Sequence, residues 1–300
     1  MNPFITRILP LVLAFFLGIV LKQLKLLSRE DAPVLLRFVL NVSIPAVIIL
    51  AIYRARLAPD MALIPICSML VVFGVYVVSS LAGRFVPMPR ASYGSFLVGT
   101  LIMNTAFALP FIDAAYGTEG LARASLFDIG NTFLIFTFTY YNAIKYGDNG
   151  HTGGIRWDRF LKLPPLWGMA AAFAIRLLNL RLPSLGVNFL ELLSLPLGPL
   201  MMIALGLSFA PRLTHLGKAL LAVFIRMGVG LFIGYLLTLL FGLEGIPRVV
   251  VMVCAAMPAG FNTMILADRE NMDREFAATI VSISTLIALF YIPLLIHLVR

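Results

Sequence analysis

Two otherwise apolar stretches are interrupted by MNTAFALP at residues 103–110 and by MPAGFNTM at residues 257–264, one in each half of the chain. Each interruption contains a proline, an asparagine and a threonine. Proline lacks a backbone donor and clashes with the carbonyl four residues earlier, so we expect each helix to break at its proline. Broken backbone is tolerated at membrane depth only where protein or a watery cavity covers it. A matched pair of interrupted spans indicates a transporter's binding site, which predicts a secondary transporter.

The composition is that of a membrane protein. Of the 300 residues, 61% are hydrophobic and 12% are charged, and the mean hydropathy is +0.99, whereas roughly a quarter of a soluble domain is charged. The net charge of +9 comes from basic residues scattered between apolar runs. That pattern is typical of short loops beside anionic lipid, and it predicts a lipid bilayer and no nucleic acid as partner. The first apolar run lacks a cleavage signal, so we interpret it as a retained span.

Windows of roughly 20 apolar residues predict ten spans. They cover residues 4–22, 32–53, 61–83, 92–115, 121–144, 162–180, 188–210, 217–241, 247–267 and 275–299. The polar stretch 145–161 lies between the fifth and sixth spans and contains four glycines, which predicts a flexible cytoplasmic linker. The predicted organisation is therefore a first five-helix repeat at 1–144 and a second at 162–300.

The basic residues predict the orientation. Loops after the odd-numbered spans hold thirteen Lys and Arg residues, and the opposite side holds eight. The side richer in positive charge is normally cytoplasmic, which places both termini outside the cytoplasm of a multi-pass protein in the cell membrane.

An odd number of spans in each half forces a duplicated second half to insert upside down. Aligning Phe107 with Phe261 brings Asn131-Thr132 close to Ser284-Thr285, although proline and asparagine exchange order between the repeats. Inverted-repeat transporters bind substrate near the midplane, where the broken helices meet. Half-helix N-termini expose unpaired N–H groups and partial positive charge, so the sequence predicts an anion site there.

Three motifs in this order resemble the auxin efflux carrier family. They are LNVSIPA at 40–46, NTAFALPF at 104–111 followed by AYG at 115–117, and MPA at 257–259 with LA, AA and ST pairs at 266–267, 277–278 and 284–285. Together with the ten spans, the resemblance covers essentially the whole chain. Ala106 and Ala108 replace glycines that are common in the family, which leaves the substrate open.

The resemblance implies an all-α polytopic membrane protein with ten transmembrane helices in two inverted five-helix repeats. The broken fourth and ninth helices would cross, as in bile-acid/sodium symporters and sodium/proton antiporters. Spans one, two, six and seven would form a scaffold, while spans three to five and eight to ten would carry the substrate in an elevator movement. Members include PIN-type auxin carriers and permeases for malate and malonate, and the short central loop favours a prokaryotic permease. A homodimer is implied by the resemblance only.

The candidate substrate-binding residues are the polar residues and prolines of the two interruptions: Asn104, Thr105, Pro110, Pro258, Asn262 and Thr263. The asparagines are favoured because a carboxamide can donate to a carboxylate without bringing a full charge into the membrane. Their alternative role is to satisfy backbone groups that the breaks set free. We expect the prolines to shape the crossing more than to contact the ligand.

The candidates for coupling or support are Asp128, Asn131 and Asn41. Asp128 lies inside the fifth span, where a carboxylate is costly and is a functional hypothesis by default. It either carries a proton or accepts hydrogen bonds from the broken fourth helix, and both interpretations stay open. Asp113 and Asp268 are expected to cap helix ends or face loops. Arg37 and Arg226 are expected to snorkel to the cytoplasmic surface, with recognition of an acidic substrate as the alternative.

Motifs for catalysis are missing from the sequence. It contains no His-Glu-x-x-His, Gly-x-Ser-x-Gly or Gly-x-x-x-x-Gly-Lys pattern, and its histidines and cysteines lack metal-ligand spacing. The sequence therefore predicts no enzyme, cofactor or metal site. Three functions remain: a secondary transporter of a small organic anion with possible proton coupling, a sodium-coupled organic-acid carrier of the bile-acid type, and a metabolite-binding membrane sensor.

Overall fold

The computed structural model describes residues 3–54, 60–147, 161–209 and 215–299, and helices make up most of them. The helices are α1 (Pro3–Gln23), α2 (Ala32–Arg54), α3 (Asp60–Phe85), α4 (Arg90–Leu101), α5 (Thr105–Leu134), α6 (Tyr140–Tyr146), α7 (Pro164–Leu177), α8 (Ser184–Ser208), α9 (Leu216–Leu240), α10 (Gly245–Ala255), α11 (Asn262–Arg269) and α12 (Arg274–Val299). Most of the predicted linker 145–161 lies outside the described residues.

Five of the described helices are long and apolar enough to cross a membrane, namely α2, α8, α9, α12 and the Met61–Phe85 part of α3. The Ile8–Gln23 part of α1 and the whole of α10 are shorter apolar helices. These helices agree with a multi-pass membrane protein. The predicted fourth window is divided between α4 and α5, and the ninth between α10 and α11. The ten-span count with inverted repeats stays a prediction.

Local backbone chemistry explains where several of these helices end or change direction. Gly117 has φ +57° and ψ −148° inside α5, so this helix consists of two parts that meet at a residue free of Cβ strain. Gly242 adopts φ +61° just after α9, a conformation that commonly terminates helices. Short π-helical segments interrupt α2 at Val39–Ser43 and α9 at Phe224–Val229, and a third, Ile135–Thr139, joins α5 to α6.

Unit 1, one of two compact units in the chain, consists of Met1–Ala58, Leu109–Ser125 and Leu161–Phe209. It contains α1, α2, α7, α8 and the middle of α5. Within it α1 and α8 approach backbone to backbone, because a Cβ on Gly206 would lie 2.1 Å from the Phe15 carbonyl oxygen. Such small-residue contacts are common between membrane helices.

Unit 2 consists of Pro59–Ala108, Leu126–Phe160 and Ala210–Arg300. It contains α3, α4, both ends of α5, α6 and α9 to α12. Here α5 packs closely on α3, since a Cβ on Gly130 would lie 2.4 Å from the Pro65 carbonyl oxygen. Both interruptions singled out in the sequence begin in this unit.

Candidate functional site

The two interruptions pair with each other in unit 2. Extended segments follow α4 and α10, and they run antiparallel with Met103 opposite Ala259. The Asn104 N–H donates to the Pro258 carbonyl at 2.9 Å, and the Gly260 N–H donates to the Ile102 carbonyl at 3.0 Å. We call this paired backbone, residues 102–104 and 258–260, the crossing. Each side of the crossing leads directly into a helix, α5 or α11.

The first helix does not break at its proline, so that expectation was wrong. The non-helical residues are 102–104, and α5 begins at Thr105 and continues through Pro110. The side chain of Asn104 decides the start, because its Oδ1 accepts the Phe107 N–H at 3.3 Å as an N-cap. In the second interruption Pro258 does lie in the break, between α10 and α11.

Unpaired polar groups lie at the start of both half-helices. Asn104 is 8% exposed, and its Nδ2 is buried without a hydrogen-bond partner among the described residues. The Thr263 hydroxyl, in the first turn of α11, is also buried and unpaired in this part of the chain. Asn262 is the first residue of α11 and is partly exposed. Buried polar groups normally have partners, so these positions are where a ligand or water would complete the bonding.

Asn131 of α5 holds the first side of the crossing in place. Its Nδ2 donates to the Met103 carbonyl at 3.0 Å, and its Oδ1 accepts the Met103 N–H at 3.4 Å. On the other side the Ala259 N–H donates to Ser284 Oγ of α12 at 3.1 Å. The alignment of Asn131 with Ser284 therefore pairs two residues that each bind one side of the crossing.

Asp128 lies beside the start of α5. It accepts a hydrogen bond from the Thr105 hydroxyl, and its Oδ1 is 3.4 Å from Asn131 Nδ2. A carboxylate near a helix N-terminus is stabilised by the partial positive charge there. The carboxylate therefore accepts a hydrogen bond from the first residue after the break, which is one of the two roles considered for it, and the proton role stays a prediction.

Pro110 and Asn41 belong to unit 1, whereas the residues just described belong to unit 2. Pro110 lines a cavity of about 460 Å³ within that unit, together with Asp113 and the ion-paired Arg54 and Glu191. The side chain of Asn41 is exposed in the π-helical segment of α2.

The chain matches a known family over nearly its whole length. Residues 3–296 fit the family model described as membrane transport protein. The chain belongs to this family. An uncharacterized transporter of Methanothermobacter thermautotrophicus is 29% identical over 292 residues, which are 96% of this chain and 95% of that protein. An uncharacterized transporter of Methanocaldococcus jannaschii is 26% identical over 297 residues, 96% of each chain.

Membership in this membrane transport protein family confirms the resemblance to auxin efflux carriers. The family and both archaeal relatives are transporters by name. Among the described residues, no group of three or more His, Cys, Asp or Glu side chains could hold a metal ion.

A second prediction from the sequence was also wrong. Arg226 does not snorkel, because its side chain is 0% exposed. Its Nη1 donates to the Thr100 carbonyl and its Nη2 donates to the Ala255 carbonyl, each at a distance of 2.8 Å. The sequence signal for this burial is Gly230, one turn later. A Cβ there would lie 2.4 Å from both the Ala255 oxygen and Arg226 Nη2, so the glycine leaves room for the guanidinium.

The three other charged residues that the sequence analysis considered, Arg37, Asp113 and Asp268, are exposed. Arg37 is exposed on α2, and Asp268 forms an exposed ion pair with Arg274, with 2.6 Å between Oδ1 and Nη1. Asp113 is exposed as well. Asp268 lies in the last turn of α11, in line with a helix-end role, whereas Asp113 lies inside α5 and lines the cavity of unit 1.

Proposed function

We propose that this protein is a secondary transporter that moves a small organic anion across the cell membrane by elevator-type alternating access. The observation that carries the proposal is the pairing of Met103 with Ala259, which brings two interrupted helices together. The substrate class is a mono- or dicarboxylate or an auxin-like weak acid. Half-helix N-termini and neutral amides bind carboxylates without a fixed countercharge, so binding is reversible, as a carrier requires.

The substrate carboxylate would be bound at the start of α5 and α11. Asn104 supports this because its two amide atoms have separate tasks: Oδ1 caps α5, while Nδ2 is buried and has no partner among the described residues. The Thr263 hydroxyl is a second unpaired group. Thr105 and Asn262 begin the two half-helices and complete the proposed site, and Pro258 shapes it through its carbonyl. In this proposal Asn104 has both roles at once: its Oδ1 caps the backbone of α5, and its Nδ2 binds the substrate.

The proposed architecture has ten spans in two inverted repeats, with both termini outside the cytoplasm. Unit 1, with α1, α2, α7 and α8, supports the proposed scaffold, and unit 2, with α3, α4, α6 and α9 to α12, supports the proposed substrate-carrying part. The middle of α5, Leu109–Ser125, groups with unit 1, which refines the division expected from the resemblance. A homodimer is proposed on the family resemblance alone.

The driving force would be the membrane potential, a coupled proton or a coupled sodium ion. The potential supplies about 2.3 kcal/mol per charge per 100 mV. A coupled proton would be carried by Asp128, whose carboxylate lies next to the start of α5. The second candidate function, a metabolite sensor without transport, is less favoured because the matching family and both relatives are transporters.

The deciding experiment is uptake of labelled malate, malonate and indole-acetate into proteoliposomes by wild type and by the Asn104→Ala, Asn262→Ala double variant. Asn142→Ala is the matched control, because Asn142 is a buried asparagine whose amide donates to the Phe138 carbonyl in the preceding turn. We expect saturable uptake in wild type and in the control, and its loss in the double variant. Uptake retained by the double variant would move the site away from the crossing. No uptake of any acid, under a proton or a sodium gradient, would favour the sensor or another substrate class.

A further inference from the structure

Two backbone carbonyls near the crossing have lost their helical donors. In a continuous helix the Thr100 carbonyl would accept the N–H of Asn104, four residues later. That N–H instead donates across the crossing at 2.9 Å. In the second repeat the Ala255 carbonyl would accept the Ala259 N–H, which instead donates to a side chain of α12 at 3.1 Å. Thr100 and Ala255 are therefore among the carbonyls at the two half-helix C-termini that lack the donor a continuous helix would have supplied.

The side chain of Arg226 donates to both of these carbonyls. Nη1 lies 2.8 Å from the Thr100 oxygen, and Nη2 lies 2.8 Å from the Ala255 oxygen. One planar guanidinium thus joins α4 to α10 and supplies a donor to each of these two carbonyls.

Within the described part of the chain, the charge of Arg226 has no carboxylate partner. The side chain is fully buried, and it takes part in none of the ion pairs found in the described part of the chain. A buried charge without compensation is strongly destabilising. Here the compensation is the partial negative charge at the C-termini of α4 and α10, each of which directs a carbonyl of its last turn at the guanidinium.

The helix that carries Arg226 is shaped around this contact. Arg226 lies in the π-helical segment Phe224–Val229 of α9, and such segments occur frequently at functional sites. Gly230 follows one turn later, where any Cβ would collide with the Ala255 oxygen and with Nη2 at 2.4 Å. Two local features of α9 therefore serve one side chain.

Half-helix C-termini are where transporters with broken helices coordinate a coupling Na⁺ or proton. We propose that Arg226 is a built-in cation that occupies this position, so that neither folding nor transport of this protein depends on Na⁺. Arg226 acts as a positioning residue that holds α4 and α10 together and does not touch substrate. Its removal opens a site, formed by the Thr100 and Ala255 carbonyls, that a small guanidinium ion fills. The consequence for coupling rests on the proposed transport function, whereas the cation site itself does not.

The first test measures thermal unfolding of the purified protein in detergent and choline chloride. It compares wild type, Arg226→Ser and Met227→Ala, in which a neighbouring buried side chain is lost but the charge remains. We expect Arg226→Ser to unfold about 5 °C or more below wild type, because two buried carbonyls lose their donors. Millimolar methylguanidinium should recover at least half of that loss in Arg226→Ser and none of the loss in Met227→Ala. Absence of this selective recovery would overturn the proposal.

A second comparison tests the role of the Arg226 charge if Arg226→Ser yields too little folded protein. Arg226→Lys keeps the charge, and Arg226→Gln keeps hydrogen-bond donors without it. A built-in cation requires that Arg226→Lys yields more folded, monodisperse protein than Arg226→Gln, whereas equal losses would overturn the role of the charge.

The wild-type protein tests the sodium consequence directly. Its unfolding temperature should not change when Na⁺ replaces choline, and its uptake rate should be equal with and without a sodium gradient. Stabilisation or faster uptake in Na⁺ would overturn the proposal. If wild type transports no organic acid at all, the proposed function fails, while the methylguanidinium and sodium effects on unfolding still decide the role of Arg226.

Discussion

Asn131 and Met103 are joined by two hydrogen bonds, one from the asparagine amide to the Met103 carbonyl and one from the Met103 N–H to the asparagine oxygen, at 3.0 and 3.4 Å. The side chain therefore pairs with this backbone much as a neighbouring strand would. Met103 in turn faces Ala259 across the crossing. One side chain of α5 thus fixes the position of the extended segment on which the proposed binding site depends.

Exchange of Asn131 for aspartate should separate these two bonds. The aspartate keeps an acceptor for the Met103 N–H but sets an oxygen against the Met103 carbonyl, so the donor bond is lost and the carbonyl is left unsatisfied. We expect a loss of about 1–3 kcal/mol in the free energy of unfolding, seen as a lower unfolding temperature, and strongly reduced uptake. Asn142→Asp is the control, since it removes a single bond within one helix. Equal effects of the two exchanges would show that the crossing does not depend on Asn131.

The two roles of Asn104 can be separated by comparing Asn104→Ser with Asn104→Ala. Serine is a good N-cap but lacks the amide donor, whereas alanine lacks both, and loss of a cap costs about 1 kcal/mol. We therefore expect Asn104→Ser to unfold near the wild-type temperature and Asn104→Ala to unfold at a lower one. Uptake measured over a range of substrate concentrations should show a raised KM in both variants. A wild-type KM in Asn104→Ser would mean that the unpaired Nδ2 does not contact substrate.

The sequence predicted where the interruptions lie better than why they occur. Proline patterns located both, and the structure brings the two segments together. Yet the first helix passes through Pro110, and its start is decided by the cap at Asn104. A proline inside an apolar helix and a proline at a break look alike in sequence, because the deciding hydrogen bond is made by a different residue.

The role of Arg226 could not be predicted from the sequence, for a physical reason. An arginine one or two turns inside an apolar span normally reaches the membrane surface, and Arg37 of α2 is exposed. Arg226 stays buried because two carbonyls from distant parts of the chain, Thr100 and Ala255, lose their helical donors at the same place. Such a coincidence is visible only after the two breaks are brought together.

Asp128→Asn tests whether a proton is carried. The asparagine keeps an oxygen that can accept the Thr105 hydroxyl, so the start of α5 should remain intact. If Asp128 carries the proton, uptake by wild type changes with the pH gradient, while uptake by Asp128→Asn is the same with and without the gradient and substrate binding is retained. Proteoliposome uptake at several pH gradients measures this. Asp268→Asn, which alters an exposed carboxylate, is the control and should keep the wild-type pH dependence. An unchanged pH dependence in Asp128→Asn would exclude the proton role.

We expect stability and uptake to require Gly260, because the crossing leaves no room for a side chain at this position. A Cβ at this position would lie 2.7 Å from Ile102 Cγ2, so Gly260→Ala forces two paired segments apart. Overpacking of this kind costs about 1–3 kcal/mol, and we expect a lower unfolding temperature and reduced uptake. Gly217→Ala is the control, because a Cβ there meets nothing within 4 Å.

The close approach of Gly260 and Ile102 also predicts how substitutions at these two residues combine. Ile102→Ala removes the Cγ2 atom, so it should destabilise wild type but partly relieve the effect of Gly260→Ala. A double-mutant cycle on the unfolding temperatures of the four proteins measures this coupling. Additive effects would mean that the close approach at Gly260 is not the cause, and the loss would then have to come from the backbone conformation of residue 260 itself.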